Sequence, residues 1–451
     1  MKKLRLDAIL FVVLLSLLGI ANFMNFDKPI VSELENRALK KKPEFSFTGL
    51  FSGSFFKDYE EYYSDTFILR DNLVRVSKDL NHLMAFMGPD ISIVTAYDDL
   101  QTPQESNEPT DKEPKPATET PVDGTQAPSE TDHNVKPGKE NKEESPKDFG
   151  DGKNMGYWMV VDGQAVQLFK FNKESCEYYS QVLNKYNEKL GSDVKIYSMI
   201  PPTASEFLKL KKYKGITDSQ NDALGFLESK LNSSISSVNV YDALSKHSEE
   251  YTYFRTDHHW TALGAYYAYA SFMEDKGEVP IALDQYEAID LGDFLGSSYT
   301  KTLDKSLEKN PDKVIAYKPL TAYEYLMFLE GKEKKSDLID MKYAGEINKK
   351  YNAFLSGGGA IWSVVKTDVK NGKKLMVVKD SFGNALVPFL LPHYEEIYVV
   401  DSRFYSISFT GKNIVEFVKD NGINEVLFTI YMEDVNWHKF MNGVENLLGS
   451  D

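Results

Sequence analysis

The chain has 451 residues, 42% of them hydrophobic and 27% charged, with a formal net charge of −16 and a single cysteine. That length suffices for one large domain or two ordinary ones. The acidic balance argues against nucleic acid as a partner, since no basic stripe is left to neutralise phosphates. One cysteine, Cys176, excludes an intramolecular disulfide and any multi-cysteine metal site, and its helical setting suggests a small buried residue.

The segment Met1-Lys2-Lys3-Leu4-Arg5 is basic, and Ala8 to Phe26 is almost wholly apolar. At ~1.5 Å per residue that apolar run spans about 28 Å, close to a bilayer's hydrocarbon thickness. Basic residues ahead of it place residues 1–7 in the cytoplasm and the bulk outside. Gly19-Ile20-Ala21-Asn22 is a poor cleavage site, which favours an uncleaved signal anchor over residues 8–26. The expectation is a single-pass protein of the cell membrane. Residues 27–99 read as a membrane-proximal helical part. Lys28 to Pro43 is polar, and Phe51 to Met87 carries Phe55, Tyr59, Tyr62 and Tyr63 at helical spacing, which predicts packing against the main domain. Gly88-Pro89 ends it.

Residues 100–152 change character. Eight of the chain's 18 prolines fall between 101 and 150, among Glu, Thr, Ser, Lys and Gln. Such a stretch cannot bury enough surface to offset chain ordering, so a disordered insertion is expected. Its flanks, Ile91 to Val94 and Tyr157 to Val161, are strand-like. They either pair across the long loop, whose closure entropy grows only logarithmically with length, or are separated by a plain linker.

From residue 153 to 451 the pattern is α/β. A helix is predicted over Asn172 to Leu190, a buried strand over Val194 to Ile200, a helix over Ser219 to Leu231 and a short strand over Val238 to Tyr241. After a helix from Ala262 to Glu274, strands come at Leu375 to Val378, Glu396 to Val400 and Val426 to Ile430. Phe294 to Tyr299 and Ile361 to Val365 read as strands of an insertion bordering a cleft. Strands alternating with helices predict a mostly parallel sheet covered on both faces, with sites at the strands' carboxyl ends.

Two stretches carry chemistry. In Thr256-Asp257-His258-His259-Trp260-Thr261, extended geometry would put Asp257 and His259 on one side and His258 and Trp260 on the other. A carboxylate beside an imidazole fixes its tautomer and leaves the far nitrogen to deprotonate a hydroxyl. Lys379-Asp380-Ser381-Phe382-Gly383 offers that hydroxyl: Ser381 lies between an apolar strand and a helix over Phe382 to Leu391. Free N–H groups at such a turn favour an oxyanion. The bland readings are a helix cap at Ser381 and a packed pair of histidines.

The Asp-His-His-Trp tetrad resembles the signature of the bacterial DHHW family, which is similar to alginate O-acetyltransferase proteins of the AlgX/AlgJ type. Further landmarks are Ser32 to Arg37, Asp65-Thr66-Phe67 with Arg70-Asp71, Phe294-Leu295-Gly296-Ser297, Lys379 to Phe382, and Val400 to Tyr405. The resemblance implies an SGNH-hydrolase-like, flavodoxin-like α/β domain in circularly permuted motif order, with Asp and His ahead of Ser. It assigns Asp257 as orienting acid, His259 as base and Ser381 as nucleophile. The Asp-x-x-His spacing of ordinary SGNH hydrolases is absent; Asp257-x-His259 fits the alginate proteins instead.

Around this core, His258, Trp260, Arg403, Tyr405 and Asn384 are candidate substrate contacts, the first four with a structural alternative. His258 is as readily a packed histidine, Trp260 and Tyr405 core aromatics, and Arg403 an ion pair. Gly357-Gly358-Gly359 is a glycine-rich loop without an assigned role. No cofactor or metal is expected. The two-metal chemistry of DHH phosphoesterases would need further aspartates at strand ends. The implied function is O-acetyl transfer, or acetyl ester hydrolysis, on an extracellular polysaccharide. The acetyl donor would be a multispanning membrane-bound O-acyltransferase. The alternative is a non-catalytic polysaccharide-binding or assembly protein of an envelope system.

Overall fold

Strands buried on both faces read as unbroken apolar runs, and such runs form the centre of this protein. The computed structural model describes residues 53–68, 91–95, 157–208, 215–329 and 332–449, with scattered positions before residue 53 and residue 70. The chain divides into Met1–Ala96 with Gly156–Asp451 as one unit and Tyr97–Met155 as another. The second unit, which holds the whole of the expected insertion, lies outside the described residues. So does most of the expected anchor; among the described residues no helix is long and apolar enough to cross a membrane.

In chain order, β1 (Val31–Ser32) and β2 (Arg37–Ala38) form a small ladder. The strands β3 (Ile91–Thr95), β4 (Tyr157–Val161) and β5 (Gln164–Leu168) make an antiparallel sheet. Ile91 pairs with Val161, so the flanks of the Pro-rich stretch do pair across it. Next come β6 (Lys195–Met199), β7 (Ile235–Ser237) and the hairpin β8 (Ala288–Phe294) with β9 (Asp312–Tyr317). The chain continues through β10 (Tyr323–Leu329), β11 (Lys332–Ser336), β12 (Trp362–Thr367), β13 (Lys374–Lys379), β14 (Glu396–Val400) and β15 (Glu425–Thr429).

Eight of these build one sheet in the order β11-β10-β12-β14-β13-β15-β6-β7. The five from β14 to β7 are parallel, as expected, whereas β12, β10 and β11 add antiparallel strands on one side. Ile361 to Val365 therefore belongs largely to the main sheet and not to an insertion. The free edge at β11 reads Lys-Glu-Lys-Lys and is exposed, a charge pattern that discourages pairing with another chain.

Side chains alternate across the sheet. Leu375, Val377, Ile397, Val399 and Leu427 pack on one face with the helices Ala262–Asp275 and Gly383–Leu390. Met376, Val378, Tyr398, Val400, Val426 and Phe428 pack on the other with Lys173–Leu190, Ile414–Asn421 and His438–Asn446. Cys176 is buried in that second layer. Two local expectations change. The strand expected at Val238 to Tyr241 ends earlier, because Asn239 accepts the N–H of Asp242 and caps a helix over Val240–Lys246. Phe294 closes β8, but Ser297–Thr302 is helical.

The aromatic helix is Ser54–Asp65. Its rings pair among themselves, Phe55 with Tyr59 and Tyr59 with Tyr62, while Phe56, Tyr59 and Tyr63 stay exposed. The expected packing of this face on the main core is not what the described residues show; none of these rings joins the buried clusters.

Leu427 lies fully buried in β15, between β13 and β6. Leu427→Ala should lower unfolding free energy by about 2–5 kcal/mol in a denaturant titration, through lost burial and an incompletely closed cavity. A change under ~0.5 kcal/mol would place that position outside the core.

Candidate active site

The apolar run of β13 stops at Lys379, and Asp380 fixes the turn beyond it. Its N–H still donates to Thr429 of β15 at 3.2 Å. Its carboxylate accepts the N–H of Phe382 at 2.7 Å and that of Tyr431 at 2.6 Å. One buried side chain thus ties the turn to the start of the next helix and to the loop after β15. Burial pushes this carboxyl up to about 6 even against those two donors. Ser381 sits on the turn, partly exposed, and its N–H meets no protein acceptor among the described residues. Gly383 cannot be larger: an added Cβ would lie 2.7 Å from Lys379 Cβ.

The Asp257 stretch is bent, not extended. Asp312, at the start of β9, accepts the N–H of Arg255 at 2.9 Å and of Thr256 at 2.7 Å, together with the Thr256 hydroxyl at 2.6 Å. Beyond this anchor, Asp257 Oδ1 accepts the N–H of His259 at 3.0 Å and faces its ring Nδ1 at 2.5 Å. The other oxygen accepts the N–H of Ser297 at 2.7 Å. Burial would raise this carboxyl, but the adjoining His259 and these hydrogen bonds hold it well below the usual carboxylate range. His259 Nε2 lies 2.6 Å from Ser381 Oγ.

With Asp257 on Nδ1, the network assigns the ring proton to that nitrogen and leaves Nε2 to accept from the serine hydroxyl. Tyr351 stacks on the imidazole at 3.8 Å and 9°, and its phenol donates to the Ser381 carbonyl at 3.0 Å.

Asp257, His259 and Ser381 are therefore brought together in one place. His258 is not turned away, because the bend cancels the alternation. Its ring lies 3.8 Å from that of His259, and Nδ1 is 2.5 Å from Ser297 Oγ. Burial, then the neighbouring His259, pushes it down to about 3, so it stays neutral. Trp260 is fully buried and offers no face to a sugar; its indole N–H donates to the Phe382 carbonyl at 3.0 Å, linking the two motifs. Tyr405 is buried against Phe417 with its phenol on the Lys412 carbonyl, which likewise removes it from the crevice.

Arg403 forks onto Asp401 at 2.9 and 2.7 Å while remaining partly exposed. Asn384 is buried one turn beyond Ser381, its N–H on the Ser381 carbonyl at 3.2 Å. Asp257, His258 and His259 could in principle share a metal ion, their ligand atoms lying within 4.8 Å of one another. Both His259 nitrogens and both Asp257 oxygens already have protein partners, so a metal would have to break that arrangement.

Asp312, Ser297 and Tyr351 complete the site, although nothing in the sequence marks Asp312 or Tyr351 for it. Gly296-Ser297 is visible as a landmark, and the structure explains the glycine: an added Cβ would lie 2.3 Å from Asp257 Cβ. Asp312 and Tyr351 stand alone in segments with no distinguishing pattern.

The chain belongs to the DHHW family, whose model, described as DHHW protein, matches residues 105–400. Among solved structures, it is similar to a DHHW family protein from Eubacterium siraeum, with 32% identity and a TM-score of 0.59 over 66% of this chain and 96% of that one. It is also similar to Bacillus cereus PatB1 carrying a sulfonyl adduct, with 21% identity and a TM-score of 0.54 over 62% of this chain and 95% of that one. A more remote likeness is to the O-acetyltransferase domain of Pseudomonas putida AlgJ, with 11% identity and a TM-score of 0.37 over 63% and 96%. No curated protein matches.

Gly296→Ala should displace Asp257 and break its contacts with His259 Nδ1 and the Ser297 N–H, read as a loss of the downfield His259 Nδ1–H resonance in proton NMR. An unshifted resonance in that variant would mean the contact is slack.

Glu433, just after β15, is buried with Oε1 unpartnered among the described residues, and burial pushes it up to about 8. The native state then holds a proton that the unfolded chain, with a pKa near ~4.3, releases. The stability that Glu433 contributes is present below about pH 4 and is lost as pH rises to about 8. Glu433→Gln removes this dependence, so its Tm gain over wild type should grow between about pH 5 and about pH 8. A gain independent of pH would contradict the assignment.

Proposed function

We propose that this protein is an O-acetyltransferase, or acetylesterase, acting on a cell-surface or secreted polysaccharide through an acetyl-Ser381 intermediate. The observation that carries the reading is the 2.6 Å approach of His259 Nε2 to Ser381 Oγ, with Nδ1 held by Asp257. In the first half-reaction Ser381 Oγ attacks the carbonyl carbon of an acetyl ester while its proton passes to Nε2. The imidazolium returns that proton to the departing oxygen as the ester bond breaks. In the second, a sugar hydroxyl gives its proton to Nε2 and attacks the acetyl carbon, and the imidazolium returns that proton to Ser381 Oγ as its bond to the acetyl carbon breaks. Water in place of the sugar would give acetate.

The N–H of Ser381 has no protein acceptor among the described residues and the helix Gly383–Leu390 begins two residues later, features that favour negative charge developing at this turn. His258, kept neutral, adds no competing charge beside His259. The acceptor and donor are those the family resemblance implies. The acetyl group would come from a multispanning membrane-bound O-acyltransferase, and residues 8–26 would hold the protein at the outer face of the cell membrane.

Ser381→Ala and His259→Ala should abolish acetate release from a surrogate acetyl ester, with near-wild-type circular dichroism. Asp257→Asn should retain the fold and lose on the order of 10²–10⁴ in rate, through a misplaced tautomer. Equal turnover by wild type and Ser381→Ala would remove the enzymatic reading.

A further inference from the structure

Tyr351 touches both the base and the backbone of the nucleophile, yet it is no member of the triad. It stands in the helical turn Lys350–Ala353, 5% exposed, with Phe254 and Phe354 set against its ring at 6.2 and 5.4 Å. That ring lies parallel to the His259 imidazole, 3.8 Å between centres and 9° between planes. The phenol is committed elsewhere, donating to the Ser381 carbonyl at 3.0 Å. What the residue offers the imidazole is therefore the face of a π-system, and that face is negative.

The charge on that imidazole changes during acyl transfer. As the base that accepts from the Ser381 hydroxyl, the ring starts neutral, and the stack then gains mainly dispersion. Once it holds the serine proton it is an imidazolium, and a cation over an aromatic face is attracted by the ring's quadrupole. Such attraction is strongest where water is kept out, and His259, at 6% exposure, is as enclosed as Tyr351. An interaction that grows as the transition state forms lowers the barrier; one equal in both states does not. Asp257 meets the new charge at the ring's edge, and Tyr351 meets it at the face. The other ring within 4 Å among the described residues, His258, stays neutral and is tilted by 38°, so it supplies neither charge nor a parallel face.

We propose that Tyr351 is a positioning residue for the base: its face stabilises the His259 imidazolium in both half-reactions, while its phenol, on the Ser381 carbonyl, holds that face in register with the nucleophile. Donating that hydrogen bond leaves more electron density in the ring, so the two contacts reinforce each other. The residue touches no substrate and acts only through His259 and the Ser381 backbone. This inference rests on the acyl-transfer reading of Ser381.

The test is hydrolysis of p-nitrophenyl acetate by the full chain, with Ser381→Ala alongside. Tyr351→Phe keeps the ring and loses only the phenol, so kcat should stay within about fivefold of wild type. Tyr351→Leu removes the face, and kcat should fall by about 30-fold with KM within about twofold. Phenylalanines bearing one, three or five ring fluorines at position 351 keep size and burial while draining charge from the face. Across them kcat should fall stepwise, by about 30-fold from the plain ring to the fully fluorinated one. A packing role would not follow that order, since these rings fill nearly the same space. If Tyr351→Leu does not fold, the fluorinated series decides alone. A kcat that stays level along the series, or a loss carried by KM, would overturn the proposal while leaving the Ser381 reading intact. Turnover undiminished in Ser381→Ala would overturn both.

Discussion

A single buried carboxylate, Asp312, sets the shape on which the site depends. By taking two successive N–H groups and one hydroxyl from Arg255 and Thr256, it bends a segment that would otherwise run extended. The bend places both histidines on the same side, one on Ser381 and one on Ser297. It also brings Asp257 against Gly296, where only a residue without a side chain fits. Hydrogen bonds from N–H groups to an ionised carboxylate are among the stronger ones available to a backbone, which suits a turn that must not relax. The hairpin of β8 and β9 is thereby more than an appendage to the sheet. It supplies Asp312 from one strand and, just past the other, the Gly296-Ser297 pair that buttresses Asp257.

The serine side is built by the sheet. Parallel strands place their carboxyl ends along one edge, so the loops after β13, β14 and β15 converge there. Asp380, Asp401 and Tyr431 come from those three loops, and Asp380 binds the first to the third. Trp260 then locks the two halves by donating to the Phe382 carbonyl, next to Ser381. An aromatic that looked suited to a sugar contact instead serves as the bolt between motifs.

Much of this is legible in the residues. The strands from β13 to β15 and the helices Lys173–Leu190 and Ala262–Asp275 announce themselves by apolar runs and helical spacing. Asp257, His259 and Ser381 are identifiable because an acid, a base and a hydroxyl occur together in two stretches that resemble landmarks of the DHHW family. The features that escape such reading depend on contacts distant along the chain. Whether β12 joins the main sheet is decided by its pairing with β10 and β14, which no local pattern encodes. Alternation misdirects His258 because a period of two assumes an extended strand, and a carboxylate 54 residues away removes that condition. Tyr351 and Asp312 carry no local signature at all; only packing on His259 and on the bent segment reveals them.

The central claim is that Ser381 carries the acetyl group between donor and acceptor, activated by His259. The most direct measurement is peptide mass mapping of the protein after brief exposure to an activated acetyl ester, with His259→Ala and Ser381→Ala treated in parallel. The account predicts a single acetyl group on the Ser381 peptide of the wild type, lost in both variants. Acetylation spread over surface lysines at equal levels in all three proteins, with none on Ser381, would contradict it.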